Sequence, residues 1–281
     1  MVHTKVRSFL PNGCMLRCDY YHVSQNLDWI VRARSVSQIG EVNCAKDRAM
    51  KMRLLGIVAA CMTAISGGAA VAGPVVVELY TSQGCSSCPP ADKILGQIAD
   101  RDDVIALALH VDYWDYIGWV DSFASPQFTK RQRSYARAAG TRTIYTPQMV
   151  IGGKDHVVGS KAMKVSETIM KHSKARDAVN VKLRRDGDKL QIDASALGRV
   201  PSGMVVQLVT FTPKAKVKIR RGENAGRTLT YHNIVQDWVV VGSWNGRSGY
   251  NRTVGVPKGT SVAVLVQEKN AGRILGAAKL N

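Results

Sequence analysis

From residue 75 onward, apolar positions fall into runs whose spacing alternates between strand and helix. Val75 to Tyr80 is β-branched and apolar except at Glu78, and the stretch Ala91 to Ala99, beyond the loop Thr81 to Cys88, carries helical spacing. Val104 to Val111 is apolar nearly throughout, which predicts a central strand covered on both faces. Ser125 and Pro126 supply an N-cap and a first-turn proline for a helix with Phe128, Tyr135 and Ala139 on one face and Gly140 as its stop. Thr146 to Ile151 and His156 to Gly159 read as strands about the turn Gly152-Gly153, and a last helix runs from Ser160 to about Lys174.

From about Val179 the helical patterns cease. Short strands are predicted at Val179 to Leu183, Leu190 to Ala194, Met204 to Phe211, Ala215 to Ile219, Leu229 to Trp244, Val262 to Glu268 and Ile274 to Leu280. Asp186-Gly187, Asn245-Gly246 and Ala271-Gly272 mark turns, and the 229 to 244 run must break near Asn233 to Asp237. Before residue 178 the order β, α, β, α, β, β, α, with Cys85-x-x-Cys88 where the first strand gives way to a helix, is the thioredoxin order. Crossover helices between parallel strands gather such a site on one edge of the sheet. The predicted fold is therefore an α/β thioredoxin-like domain over 73–177 followed by an all-β, sandwich-like domain over 178–281.

Upstream, Met50-Lys51-Met52-Arg53, an uncharged run over 54–65 and Ala70-Val71-Ala72 before Gly73 have the order of a secretory signal peptide cleaved after Ala72. A periplasmic or secreted location follows. A single membrane anchor over 54–77 is the alternative, although Gly67, Gly68, Gly73 and Pro74 suit a cleavage region better than a span. Residues 1–49 show no sustained period and read as a non-native extension ahead of a mis-assigned start. A lipoprotein box at Val58 to Cys61 would leave too short a leader, and Cys14, Cys18, His22 and Cys44 have no standard zinc spacing.

Charge and cysteine content sharpen this picture. The 281 residues carry 39 Lys plus Arg against 21 Asp plus Glu, a net charge of +18, and 45% apolar residues, which exclude disordered and fibrous classes. Cleavage after Ala72 leaves +13 on 209 residues and removes four of the six cysteines. Only Cys85 and Cys88 remain, in one Cys-x-x-Cys motif bound for an oxidising compartment.

The stretch Glu78 to Asp92, ending in Gly84-Cys85-Ser86-Ser87-Cys88-Pro89-Pro90-Ala91-Asp92, resembles a family of secreted bacterial thioredoxin-like proteins without an assigned function. His110 to Asp115, Tyr145 to Met149 and Arg221-Gly222-Glu223-Asn224 are similar to that family too. The resemblance covers about 73–281 and implies the fold and export, but no substrate. Thioredoxins themselves usually carry Trp before the first cysteine and Gly-Pro between the two, where this chain has Gly84 and Ser86-Ser87.

The chemistry expected is thiol-disulfide exchange with protein thiols or disulfides as partners. A thiolate at a helix N-terminus is favoured by the dipole and by free N–H groups. Cys85 is the expected attacking thiol, exposed as in thioredoxin-like sites, and Cys88 the buried resolving one. Pro147 is placed where such proteins hold a cis-proline opposite the disulfide, leaving the backbone of Thr146 for an extended substrate. Glu78 is either a buried carboxylate shuttling protons to the resolving cysteine or a residue on an exposed strand face. His110 and Asp112 share a face at a strand end, as acid/base helpers or, with Cys85 and Cys88, as a copper or other soft-metal site. Tyr113, Trp114 and Trp119 are candidates to floor a peptide groove or to pack the core.

No cofactor is implied beyond the redox disulfide, with copper delivery as the alternative function. A non-catalytic envelope-binding module with a structural disulfide is a third reading. Lys214, Lys216, Lys218 and Arg220 alternate with apolar residues, so weak contact with an anionic membrane surface or acidic partners is expected. No nucleic-acid motif, phosphate-cradling loop or hydrolase elbow is present in the sequence.

Overall fold

The computed structural model describes residues 73–281 and the backbone of two strands nearer the N-terminus, β1 (Thr4–Phe9) and β2 (Met15–Tyr20). These two pair antiparallel, from Thr4↔Tyr20 to Phe9↔Met15. They belong to a compact unit, Met1–Gly68, separate from the unit Ala69–Asn281. The predicted signal segment over 50–72 lies outside the described residues. Among the described residues no helix is long and apolar enough to cross a membrane.

In the second unit the elements run β3 (Val75–Thr81), α1 (Pro89–Ile98), β4 (Val104–His110), a single 3₁₀ turn (Asp115–Ile117), α2 (Pro126–Ala138), β5 (Gln148–Ile151), β6 (Asp155–Val158) and α3 (Ala162–Ser173). Seven strands follow: β7 (Val179–Asp186), β8 (Lys189–Ala196), β9 (Met204–Lys218), β10 (Thr228–Trp244), β11 (Tyr250–Gly255), β12 (Ser261–Glu268) and β13 (Ile274–Leu280).

The expected fold class, a thioredoxin-like α/β domain followed by a separate all-β domain, is overturned by how these strands pair. The unit is mostly β, and one mixed eight-stranded sheet, ordered β13-β12-β9-β10-β4-β3-β5-β6, takes strands from both halves of the chain. A second sheet, β11-β8-β7, completes it. β3 and β4 are parallel, from Val75↔Val104 to Thr81↔His110, and β3 meets β5 antiparallel. The join between the halves is the parallel pairing of β4 with β10 at Ile234↔Ala108, reinforced where Asn233 Nδ2 donates to the Ala106 carbonyl at 2.9 Å. Apolar β4 is thus covered on both faces and partnered on both edges. A run of apolar residues reports burial of faces, but it carries no information about which distant strand fills an edge.

The predicted strands Met204 to Phe211 and Ala215 to Ile219 are one 15-residue strand, β9, and its partner β10 spans 17 residues. The expected break in β10 is local, with Asn233 at φ 48° and register shifts between Val235 and Asp237, so the strand bends and continues. β11, a polar strand over Tyr-Asn-Arg-Thr-Val-Gly, has no sequence counterpart above because only Val254 interrupts its polarity.

Alternation along β3 sorts its side chains between two cores. Val76 and Tyr80 meet Phe128 and Tyr135 of α2, whereas Val75, Val77 and Leu79 meet Ala91 and Leu95 of α1 and Val165 and Ile169 of α3. A third core, including Val179, Leu190, Ile192, Val206, Val262 and Val264, fills the space between the two sheets. The C-terminal ends of β3 and β4, the start of β5 and the turn between β9 and β10 converge on the cysteines.

Candidate functional site

Cys85 and Cys88 form a disulfide with a Cα–Cα distance of 5.4 Å. Their loop is wound by the Cys85 N–H donating to the Ser82 carbonyl at 3.2 Å and the Cys88 N–H to the Cys85 carbonyl at 3.3 Å. Cys88 is the N-cap of α1, where Pro89 and Pro90 occupy the first turn. Neither proline has an N–H, and those of Ala91 and Asp92 turn back to the Cys88 carbonyl at 2.8 and 3.1 Å. The first turn therefore lacks the free donors expected from a helix start, and its dipole is what remains to favour a thiolate.

A hydroxyl supplies the missing donor. Trp114 Nε1 donates to Thr146 Oγ1 at 2.7 Å, and that hydroxyl donates to Cys85 Sγ at 3.3 Å. Because an indole N–H only donates, it occupies a lone pair of the oxygen and leaves the hydroxyl proton for the sulfur. Ser87 Oγ lies 3.4 Å from the same sulfur. The Thr146-Pro147 peptide is cis and stands over this loop, with Ser87 Oγ donating to the Thr146 carbonyl at 3.5 Å.

Both cysteines are buried, Cys85 at 2% and Cys88 at 0% exposure, while Ser86 and Ser87 are exposed. The expected exposure of Cys85 does not hold because the β9–β10 turn covers its loop. Asn224, itself fully buried, donates from Nδ2 to the carbonyls of Gln83 at 3.0 Å and Cys85 at 2.9 Å. Arg227 steadies its Oδ1 at 2.7 Å, and Glu223 accepts from the Ser86 N–H at 3.3 Å. Gly222 has φ 75°, and a Cβ there would lie 3.1 Å from the Trp119 Cβ, so glycine suits both the turn and its close approach.

Beneath the cysteines lies a polar cluster of which sequence reasoning singled out His110 alone. Asp92 follows Cys88 by one helical turn and is buried on the inner face of α1. His110, on the face of β4 that meets α1, has Nδ1 2.7 Å from Asp121 Oδ2. Asp121 also accepts from the N–H groups of Gln83 at 2.7 Å and Phe123 at 2.8 Å. Phe123 and Tyr231 pack edge-on against the His110 ring. Desolvation pushes the Asp92 carboxyl up to about 7, against the pull of His110 and with the push of Asp121. Both Asp92 oxygens, Thr81 Oγ1, His110 Nε2 and the Tyr231 hydroxyl are buried without a hydrogen-bond partner among the described residues. Asp92 also lines a cavity of about 440 Å³ between α1 and β10, together with Lys93, Gly96, Arg227, Thr230 and His232.

The remaining sequence candidates are placed elsewhere. Glu78 faces α2, on the opposite side of the sheet from Asp92, where Arg131 pairs with it at 2.7 and 2.8 Å and the hydroxyls of Tyr135 and Tyr80 donate at 2.6 and 3.0 Å. Asp112 leaves the His110 face and accepts from the Thr129 hydroxyl of α2. Trp119 donates to Gln83 Oε1 at 2.8 Å, so Trp114 and Trp119 both brace the cysteine site. Among the described residues no three His, Cys, Asp or Glu side chains gather as a metal site.

A family model described as a protein of unknown function (DUF1223) matches residues 76–267. The crystal structure of protein AGR_C_4864 from Agrobacterium tumefaciens is 36% identical over 74% of this chain and 94% of that one, with a TM-score of 0.64. A hypothetical protein from Pyrococcus horikoshii is 12% identical over 37% of this chain and 85% of its own, with a TM-score of 0.20. A DUF3823 family protein from Bacteroides ovatus is 13% identical over 36% and 52%, with a TM-score of 0.22, and neither of these two bears on fold or function. No curated protein matches the chain.

Proposed function

We propose that this chain, which belongs to the DUF1223 family of proteins of unknown function, is an exported thiol-disulfide exchange protein acting through Cys85 and Cys88. The observation that carries this reading is the Thr146 hydroxyl aimed at Cys85 Sγ, with its orientation set by Trp114. A stapled turn needs no donor on one sulfur, whereas a sulfur that becomes anionic gains from it, because hydrogen bonds to charged acceptors are stronger than neutral ones.

In the reduced protein the Cys85 thiolate attacks one sulfur of a partner disulfide. A Cys85–partner bond forms and the other partner sulfur leaves as a thiolate. Cys88 passes its proton toward the ionised Asp92 carboxylate and attacks Cys85 Sγ, closing the Cys85–Cys88 disulfide and expelling the second partner thiolate. The protein's thiol pair loses two electrons and the partner disulfide gains them; the reverse sequence oxidises a partner dithiol. An Asp92 carboxyl that titrates near neutrality suits such a proton acceptor.

The burial of both cysteines favours a second reading, a structural disulfide. Cys88→Ser in the full chain separates the two. Exchange predicts disulfide-linked partners held on Cys85 and released by reductant, and their absence from cells expressing the variant rejects it. A reduction potential below about −300 mV, measured in glutathione buffers, would also favour the structural staple.

A further inference from the structure

Strand β9 outruns its neighbour β12. Their pairing ends at Ser261↔Phe211, yet β9 continues to Lys218 with β10 beside it. From Thr212 to Lys218 no strand pairs with its outer edge among the described residues. This two-stranded arm ends in the turn 219–227, whose Asn224 holds the carbonyl of Cys85.

The arm is strongly cationic. Lys214, Lys216 and Lys218 are exposed on one face, and none has an acidic partner among the described ion pairs. Arg220, Arg221 and Arg227 add exposed cations at the turn, and Glu223, the acid within that turn, is bonded to Ser86 N–H. Lysine on an edge strand guards against aggregation, which explains the charges alone. It does not explain why the row leads into a turn bonded to the disulfide loop. An open strand edge also offers backbone donors and acceptors, which a polypeptide uses and a lipid headgroup does not.

Taking the exchange reading above as its basis, we propose that the arm binds an extended acidic segment of the partner polypeptide by strand addition along Lys214–Lys218, past Pro213, which has no N–H to offer, so that a cysteine beyond that segment reaches Cys85. Lys214 to Lys218 spans about 13 Å of strand, room for acidic side chains at alternate positions.

The test uses the oxidised full chain and probes without cysteine, so that binding is read apart from exchange. A labelled peptide of alternating Glu and Thr should bind about ten-fold tighter than its Gln-Thr counterpart in low salt, and weaken as salt rises. Combined Lys214→Gln, Lys216→Gln and Lys218→Gln should erase this preference and leave the thermal transition in place. Backbone N-methylation of the Glu-Thr peptide should abolish binding, because it removes the strand donors. Equal binding of both peptides, an unaffected triple variant, or full binding of the methylated peptide would each overturn the proposal. So would lysine-dependent binding to phosphatidylserine vesicles without any peptide preference, which would assign the arm to a membrane surface. Retained peptide binding in a protein that fails to exchange would sink the exchange reading and spare the arm.

Discussion

At Asp92 a carboxyl group sits one helical turn below the disulfide, where burial carries it from the ordinary 3.8 to about 7. Between those values the folded chain keeps a proton that the unfolded chain has released, so stability is full below 3.8 and is lost as pH rises through about 7. Urea denaturation should show the native protein losing on the order of a few kcal/mol between about pH 5 and pH 8, and Asp92→Asn should flatten that slope. Parallel curves for the two proteins would remove this carboxyl from the titration. Asp92 stands in the sequence as an acid between Ala91 and Leu95, whereas Glu78, which interrupts an apolar strand, reads either as the proton shuttle or as a residue on an exposed face. Alternation could not separate the two, because every residue of β3 is buried and both faces meet helices. Glu78 finds its partner in Arg131, 53 positions away, and no local pattern announces that pairing.

At the scale of elements, the cysteine loop is built locally but closed from afar. Strand, loop and proline-led helix follow from residues 75–98, and their order was legible because each obeys a short-range rule: β-branched runs, prolines in a first turn, apolar helical spacing. The cover was not, since Arg221-Gly222-Glu223-Asn224 reads as an ordinary tight turn until it is placed over the loop. Asn224→Ala takes the donor from two carbonyls at once. It should destabilise the fold by about 1–3 kcal/mol and speed reduction of the disulfide by a phosphine, whereas Arg221→Ala, a change on the exposed side of the turn, should do neither. Equal reduction rates in native protein and Asn224→Ala would mean that the turn does not guard the sulfurs.

In the whole molecule, the halves are locked by one buried polar network. Arg131, held by Glu78, donates to Gln207 and Gln267 at 3.2 Å each, and its guanidinium lies 3.7 Å from the Trp238 ring centroid. Trp238 donates to Gln207 at 2.7 Å, and Gln267 to the Tyr135 hydroxyl at 2.8 Å. Glu78→Gln would strand the Arg131 charge among these groups and should cost about 3–5 kcal/mol in chemical denaturation while leaving the cysteine reduction potential unchanged. A shifted potential with stability intact would return Glu78 to the redox site. This network also explains why texture misled: a change from mixed to all-strand pattern near residue 178 looks like a domain boundary, whereas edge pairing and buried polar contacts cross it. Synthesis adds a direction to this arrangement. A chain made from its N-terminus presents Cys85 139 residues, and Cys88 only slightly fewer, before Asn224, the partner of the Cys85 carbonyl, has been added. Every nascent or truncated chain that stops short of that turn therefore carries its sulfur pair without the Asn224 hydrogen bonds that hold the loop in the finished protein.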